Sequence, residues 1–198
     1  MSWPRYLRSV LLSFGALLAI AYGFIVVMNP YGHLPLRIFG AHVIMDINQR
    51  FQYPAIVRSG LFDSVVIGTS TSRLLDPERL EARFGGRFAN MAMNDARAWE
   101  EYRLARLFLD HQPQPKTLLI GLDWVWCAQN ADTDRVTTRG FPEWMYDENP
   151  WNDWLYILNP RTLEFAGRLA LHRLGLKPPR IPAKNIANSN TANKMRQS

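Results

Sequence analysis

The sequence predicts an α/β protein with one N-terminal transmembrane helix followed by a partial doubly wound parallel sheet. Three observations favour this fold class: an uncharged apolar run near the N-terminus, an alternation of short apolar strands with amphipathic helices, and polar residues directly after each strand. A chain of 198 residues is long enough for one such domain beside an anchor.

The first element is the anchor. Residues 9–28 carry no charged side chain and match the roughly 20 apolar residues that cross a bilayer as a helix. Arg5 and Arg8 precede this run, so the positive-inside tendency places the N-terminus in the cytoplasm and the remainder on the other side. A cleaved signal peptide is the alternative, because Ala-Ile-Ala at residues 19–21 is similar to a cleavage site. Both interpretations export the domain.

The boundaries of the remaining segments follow from composition. Pro30 ends the first helix, and we interpret residues 29–59 as a juxtamembrane linker and residues 60–175 as the α/β domain. Residues 176–198 hold five basic and no acidic side chains, which predicts a basic disordered tail. That tail accounts for five units of the net charge of +6, so the rest of the chain carries +1. A nearly neutral domain lacks the basic face that nucleic acid requires, and we expect no nucleic-acid partner.

The middle of the domain has the pattern β-α-β-α-β. The predicted strands are residues 64–67, 87–93 and 117–122, and the helices between them begin at the Asp76-Pro77 cap and near residue 99. The third strand is apolar throughout, which predicts cover on both of its faces. Residues 124–154 hold five of the seven tryptophans and are interpreted as a long irregular loop. A last helix is expected after Asn159-Pro160.

The candidate site lies where the strands end, because ligands of open parallel sheets bind beyond the carboxyl ends of the strands. Ser70 follows Gly68 and Thr69 in a strand-to-helix turn that exposes a serine as a nucleophile and offers backbone N–H groups to an oxyanion. Turn and cap formation is the alternative role for these residue types.

Further polar residues follow the second and third strands. Asn90 and Asn94 are candidate side-chain donors to the same oxyanion, and Asp123 is a candidate for binding a polar substrate group or positioning a partner. Trp124 and Trp126 are candidates for a lid that stacks on a sugar, with core packing as the alternative.

Cys127 is the only cysteine, so neither an intramolecular disulfide nor a cysteine metal cluster is expected, and no cofactor or metal is predicted.

These segments occur in a familiar order. Residues 63–70, Asp-Ser-Val-Val-Ile-Gly-Thr-Ser, followed by Arg73, resemble the first block of the SGNH (GDSL-like) hydrolases in their envelope-anchored bacterial branch. Residues 88–96 and 121–123 resemble the second and third blocks, and residues 29–32 resemble the segment after the anchor. The resemblance implies a flavodoxin-like three-layer sandwich in the periplasm, held at the inner membrane, with Ser70 as the nucleophile and Gly68 and Thr69 in its turn.

One part of the family pattern has no counterpart. The family's base is a histidine in an Asp-x-x-His motif that follows two further strands, and none of the four histidines here has an aspartate three residues before it. They are His33, His42, His111 and His172. We therefore expect a C-terminally shortened, anchored SGNH hydrolase-like envelope protein without the full catalytic machinery. The alternative is an active serine esterase or O-acyltransferase acting on a cell-surface glycan. The expected partners are the lipid bilayer and an envelope glycan or acyl substrate.

Overall fold

The computed structural model describes residues 3–32, 34, 38, 49–131 and 133–176. The helices are α1 (Trp3–Met28), α2 (Gln49–Arg58), α3 (Pro77–Phe84), α4 (Ala98–His111), α5 (Trp124–Cys127), α6 (Pro150–Tyr156) and α7 (Pro160–Arg173). The strands are β1 (Ser64–Ile67), β2 (Phe88–Asn90) and β3 (Thr117–Ile120), and two short 3-10 helices span Ser70–Leu74 and Glu143–Tyr146. Residues 177–198 of the predicted tail and residues 33, 35–37 and 39–48 of the predicted linker lie outside the described residues.

The three strands form a parallel sheet in the order β2-β1-β3, which confirms the predicted mixed α/β class. β1 pairs on both sides, and Val65, Val66 and Ile67 are fully buried. Parallel strands send their carboxyl ends to the same edge of the sheet. The segments that follow β1, β2 and β3 therefore meet at one edge, which we call the strand-end edge.

β3 differs from β1 although both strands are apolar. Its side chains are half-buried, and Ile120 is 41% exposed, so the prediction of cover on both faces is wrong. In the described part of the chain β3 pairs only with β1, which makes it an edge strand. An apolar run of four residues has the same pattern in a central strand and in an edge strand, and the sequence therefore could not separate them.

The segment predicted to be a linker contains α2. This helix packs against α4, and Phe51, Ile56 and Val57 are buried in the main hydrophobic cluster together with residues of β1 and α4. Pro54 stands inside the helix, and the polar side chains of Arg50 and Gln52 are buried beside the apolar ones. A proline and two buried polar residues interrupt the amphipathic pattern of this segment, which explains why a helix was not predicted here.

α1 is long and apolar enough to cross a membrane, with 26 residues and a mean hydropathy of 2.5 over its most apolar window. Residues 3–20 are exposed, whereas Ile25 and Met28 are buried in a second cluster. That cluster also contains Ile157 and Ala166. The Tyr22 hydroxyl donates to the carbonyl of Trp154 at 3.0 Å. The last two turns of α1 are therefore part of the packed domain.

The turn after α1 fixes this connection. Asn29 has a positive φ of 43°, and its side chain exchanges hydrogen bonds with the backbone of Leu34. Tyr31 is fully buried, stacks on Phe51 at 5.2 Å and shares a hydrogen bond of 3.0 Å with the hydroxyl of Thr162. The turn thereby ties α1 to α2 and α7 at once.

The tryptophan-rich segment is more regular than predicted, since it contains α5, a 3-10 helix and α6. Trp144 lies beside Tyr31, with ring centroids 6.3 Å apart, and Trp154 packs against the cluster at the end of α1. Trp124 and Trp151 are 70% and 78% exposed. Two of the tryptophans thus serve packing, and two lie at the surface.

Candidate functional site

An open cleft of about 510 Å³ lies at the strand-end edge, and we call it the strand-end cleft. Its lining consists of Ser70, Arg73, Leu74, Leu75, Asp76, Pro77 and Asn94. Ser70 begins the 3-10 helix that follows β1, and its side chain is exposed. Its hydroxyl forms no hydrogen bond to any residue that the structure describes. Of the residues predicted from sequence, Ser70 and Asn94 line the cleft together.

The turn that carries Ser70 depends on a close approach between two strands. The side chain of Ser72 lies against the backbone of Gly68, after β1, and of Gly121, after β3. A Cβ atom on either glycine would overlap the Ser72 hydroxyl. A larger residue at Gly68 or Gly121 would therefore displace the Ser72 side chain from the space between the ends of β1 and β3.

Thr69 and Asp123 clamp the same turn. The Thr69 hydroxyl donates a short hydrogen bond to Oδ2 of Asp123, and the other carboxylate oxygen accepts the backbone N–H of Val125 at 3.2 Å. Asp123 thus caps α5 and holds the residue before Ser70. Both of its oxygens are engaged in the fold, so its contribution to the cleft is to position the Ser70 turn.

Asn90 lies beneath the cleft and does not line it. The side chain is 3% exposed, and its Nδ2 donates to the carbonyls of Ser72 and Leu75 at 2.9 and 2.7 Å. Its Oδ1 accepts the backbone N–H of Ala92 at 3.1 Å. Both amide protons are therefore used to hold the 3-10 helix on the end of β2.

A buried ion pair supports the loop of Asn94. The side chains of Arg50 and Glu100 are 1% and 0% exposed and approach to 2.6 Å. The Arg50 guanidinium also donates to the carbonyls of Asn94 at 3.1 Å and Asp95 at 3.0 Å. The Asn94 backbone N–H donates to Oε1 of Gln49 at 2.9 Å. α2 and α4 together therefore hold the loop after β2 in place, with Asp95 in a left-handed conformation at φ 54°.

Glu101 follows Glu100 on α4 and is close enough to Asp123 for the two carboxylates to interact. It is 1% exposed, its Oε2 accepts the indole N–H of Trp126 at 2.9 Å, and its Oε1 has no hydrogen-bond partner among the described residues. Burial raises the pKa of Glu101 to about 7, the hydrogen bond from Trp126 lowers it, and the nearby carboxylates of Asp123 and Glu100 raise it. Trp126 is thus tied to α4, whereas Trp124 points its ring to solvent outside the cleft lining.

The two described histidines lie away from the cleft. His111 ends α4, which runs from the strand-end edge to the opposite edge, and its Nδ1 lies 3.0 Å from the carbonyl of Leu107. His172 belongs to the last turn of α7. His33 and His42 lie outside the described residues. Among the described residues, no three His, Cys, Asp or Glu side chains group in a way that could hold a metal ion.

Sequence reasoning missed the support of the site. Gln49 and Arg50 fall in the predicted linker, and Glu100 is fully buried although a charged residue of an amphipathic helix is expected on its solvent-facing side. The partners Arg50 and Glu100 are 50 residues apart, and no local pattern links them. The one local sign that Arg50 is buried is the pair of aromatic residues, Phe51 and Tyr53, that follows it.

The geometry supports ligand binding beside an exposed serine hydroxyl, with a guanidinium and an amide in reach of the same space. A serine hydroxyl needs an adjacent base to act as a strong nucleophile, and the described lining residues include no histidine. No family model matches this chain, and no match was found among curated proteins or solved structures.

Proposed function

We propose that this chain is a membrane-anchored SGNH hydrolase-like envelope protein that holds a ligand in the strand-end cleft without the family's full catalytic machinery. The observation that carries the proposal is the convergence of three segments at one edge of the sheet. Residues 68–70 follow β1, residues 90–95 follow β2, and residues 121–123 follow β3. These are the segments that resemble the three family blocks, and Ser70 is exposed at their centre.

The conformation of the second segment adds support. The family usually has a glycine near the position of Asn94 or Asp95, and Asp95 adopts the left-handed conformation that glycine favours. Aspartate is among the few other residues that tolerate this conformation. The departure from glycine in the sequence is therefore compatible with a family-like backbone at this loop.

The shape of α1 favours a retained anchor over a cleaved signal peptide. The most apolar window of this helix is only 6% buried in the domain, so its apolar surface is left for a bilayer to cover. Cleavage after residue 21 would cut α1 directly before Tyr22, inside a continuous helix whose last two turns pack into the domain. We propose an inner-membrane location with the domain in the periplasm.

The single cysteine allows a direct test of this topology. Cys127 is exposed, so a membrane-impermeant maleimide labels it in intact spheroplasts if the domain faces the periplasm. The control is Cys127→Ser combined with Ser2→Cys, which is expected to label only after the membrane is permeabilised. Labelling of Cys127 only after permeabilisation would contradict the proposed orientation.

An active serine esterase or O-acyltransferase is the second candidate. The observation that favours it is the Ser70 hydroxyl, which is exposed in the cleft and free of hydrogen bonds to the described residues. In that case the Ser70 oxygen would attack an ester carbonyl, and the backbone N–H groups of its turn would stabilise the oxyanion. The C–O bond to the alcohol would then break, leaving an acylated Ser70 and releasing the alcohol with the proton that the serine hydroxyl gave up.

A fluorophosphonate probe separates the two candidates in the full-length, detergent-solubilised chain. If the protein binds a ligand without catalysis, the folded native sequence should be labelled no more than Ser70→Ala. Thr71→Ala is the matched control, since Thr71 is the exposed neighbour on the same 3-10 helix. Labelling that persists in Thr71→Ala and disappears in Ser70→Ala would contradict the proposal of binding without catalysis and support the esterase.

A further inference from the structure

Arg73 and Ser70 lie on the same face of one short helix. They stand at positions i and i+3 of the 3-10 helix Ser70–Leu74, and side chains three residues apart in a 3-10 helix lie one above the other. Both residues line the strand-end cleft. A group bound by Arg73 is therefore presented to the hydroxyl of Ser70.

The positive charge of Arg73 is not balanced within the described residues. Its guanidinium donates from Nη1 to Oδ1 of Asn94 at 3.0 Å, which is a neutral acceptor. Asp76 lines the cleft and Asp95 follows Asn94, and both have other arginine partners: Asp76 pairs with Arg79 at 3.7 Å, and Asp95 pairs with Arg139 at 3.6 Å. A guanidinium has five N–H donors, so most of those on Arg73 remain available to a ligand.

The fold holds this guanidinium in position. Asn94 accepts its hydrogen bond, and the backbone of Asn94 is fixed on both sides by Gln49 and Arg50. Arg50 is in turn locked by the buried carboxylate of Glu100. A donor that is already oriented loses less conformational freedom when a ligand binds. The planar fork of arginine suits a carboxylate in particular, because it can donate two parallel hydrogen bonds.

The remaining lining of the cleft consists of Leu74, Leu75, Pro77 and Asp76, whose carboxylate pairs with Arg79. Leu74 is 87% exposed, Leu75 is 43% exposed, and both line the cleft next to Arg73. We infer that the strand-end cleft takes a carboxylate-bearing ester, with the carboxylate on Arg73, the ester at Ser70 and the apolar part of the ligand against the two leucines. This inference rests on the proposed function for the ester. The carboxylate is carried either by an acidic sugar or by the acyl group.

Binding to full-length Ser70→Ala in detergent tests the inference, because this background removes turnover. Two pairs of probes separate the two sources: O-acetylated trigalacturonate against the same compound with its carboxylates methyl-esterified, and monomethyl succinate against dimethyl succinate. The acidic member of one pair is expected to bind at least about tenfold more tightly, the size of one charge-assisted hydrogen bond. The pair that discriminates identifies the source of the carboxylate.

Arg73→Gln is expected to abolish the preference, and Arg73→Lys to restore part of it through the charge alone. Arg79→Gln is the matched control, since Arg79 is an exposed arginine next to the cleft that pairs with Asp76. Equal affinity for acidic and neutral probes in both pairs, or equal effects of the Arg73 and Arg79 substitutions, would overturn the inference. Fluorophosphonate labelling tests the proposed function separately. The proposed function can therefore fail in that experiment while the preference for the acidic probes remains.

Discussion

Two polar regions lie next to each other at the strand-end edge and differ in burial. The Arg50–Glu100 ion pair beneath the loop after β2 is excluded from solvent, and its side chains are hydrogen-bonded to one another and to the backbone. Ser70 and Arg73 above it are exposed, and the Ser70 hydroxyl has no partner among the described residues. A buried charge without a partner is costly, whereas an exposed one is hydrated, so only the upper region can leave donors free for a ligand. The difference separates residues that stabilise the fold from residues that are available for binding.

The largest effect is expected from breaking the buried pair. Glu100→Gln leaves the Arg50 guanidinium buried without a carboxylate and is predicted to lower the free energy of unfolding by about 3–5 kcal/mol. Urea unfolding of the detergent-solubilised chain, followed by tryptophan fluorescence, measures it. The control is Glu164→Gln, which breaks the Glu164–Arg168 pair with the same 2.6 Å separation at half-exposed side chains. The free energy of unfolding of that variant is expected to fall by at most about 0.5 kcal/mol. If both variants lost similar amounts of unfolding free energy, burial of the ion pair would not explain the effect of Glu100→Gln.

The two asparagines predicted for the oxyanion provide the next comparison. Asn90→Ala removes the side-chain partner of the Leu75 carbonyl and of the Ala92 N–H, and one of the two donors to the Ser72 carbonyl, so a loss of about 2–3 kcal/mol of unfolding free energy is expected. Asn94→Ala removes one exposed hydrogen bond to Arg73 and is expected to change stability by about 0.5 kcal/mol or less. The same denaturation assay measures both. If Asn94→Ala destabilises as much as Asn90→Ala, the assignment of Asn90 to folding and Asn94 to the cleft is wrong.

A smaller effect, which depends on pH, is expected at Glu101. Burial raises the pKa of this carboxyl from its ordinary 4.5 to about 7. The folded state therefore holds the proton more tightly than the unfolded state, and stability declines as pH rises from about 4.5 through about 7. Burial also raises the pKa of Asp153 to about 6, which contributes in the same direction.

Glu101→Gln removes the titration and keeps a side-chain oxygen for the indole of Trp126. The stability of this variant relative to the native sequence is expected to increase between pH 5 and pH 8 in parallel denaturation series. Glu143→Gln is the matched control, because Glu143 accepts the indole N–H of Trp99 at 3.3 Å at the surface. A difference that stays constant with pH for Glu101→Gln would contradict the raised pKa.

The features that the sequence predicted well are local. Asp76 caps α3 by accepting the N–H of Glu78, and Asn159 caps α7 by accepting the N–H of Thr162, both with proline at the first turn. Such signals depend on a few neighbouring residues and need no tertiary context. β1 begins and ends where it was predicted, since Gly68 interrupts a short apolar run. The three-strand parallel sheet follows from the order of these local elements.

The features that the sequence could not provide depend on distant partners. Asn90 and Asn94 are four residues apart and chemically identical, but one is 3% exposed and the other lines the cleft. The burial of Asn90 follows from the position of the 3-10 helix above it, and the support of Asn94 follows from α2. Arg50 illustrates the same limit, because its burial is tolerated only through Glu100 on another helix.

The smallest stability effects are expected in the cleft itself, where they are most informative. Ser70→Ala and Arg73→Gln each replace an exposed side chain that contributes little to packing, so the free energy of unfolding should change by no more than about 0.5 kcal/mol. The same urea series measures this change.

Ligand binding, in contrast, should depend strongly on Arg73 because its charge is unbalanced there. A residue that matters for binding but not for stability is what a site requires, whereas a residue retained for folding shows the opposite pattern. A loss of more than about 2 kcal/mol in either variant would place the exposed cleft in the same class as the buried network and remove the distinction between the two regions.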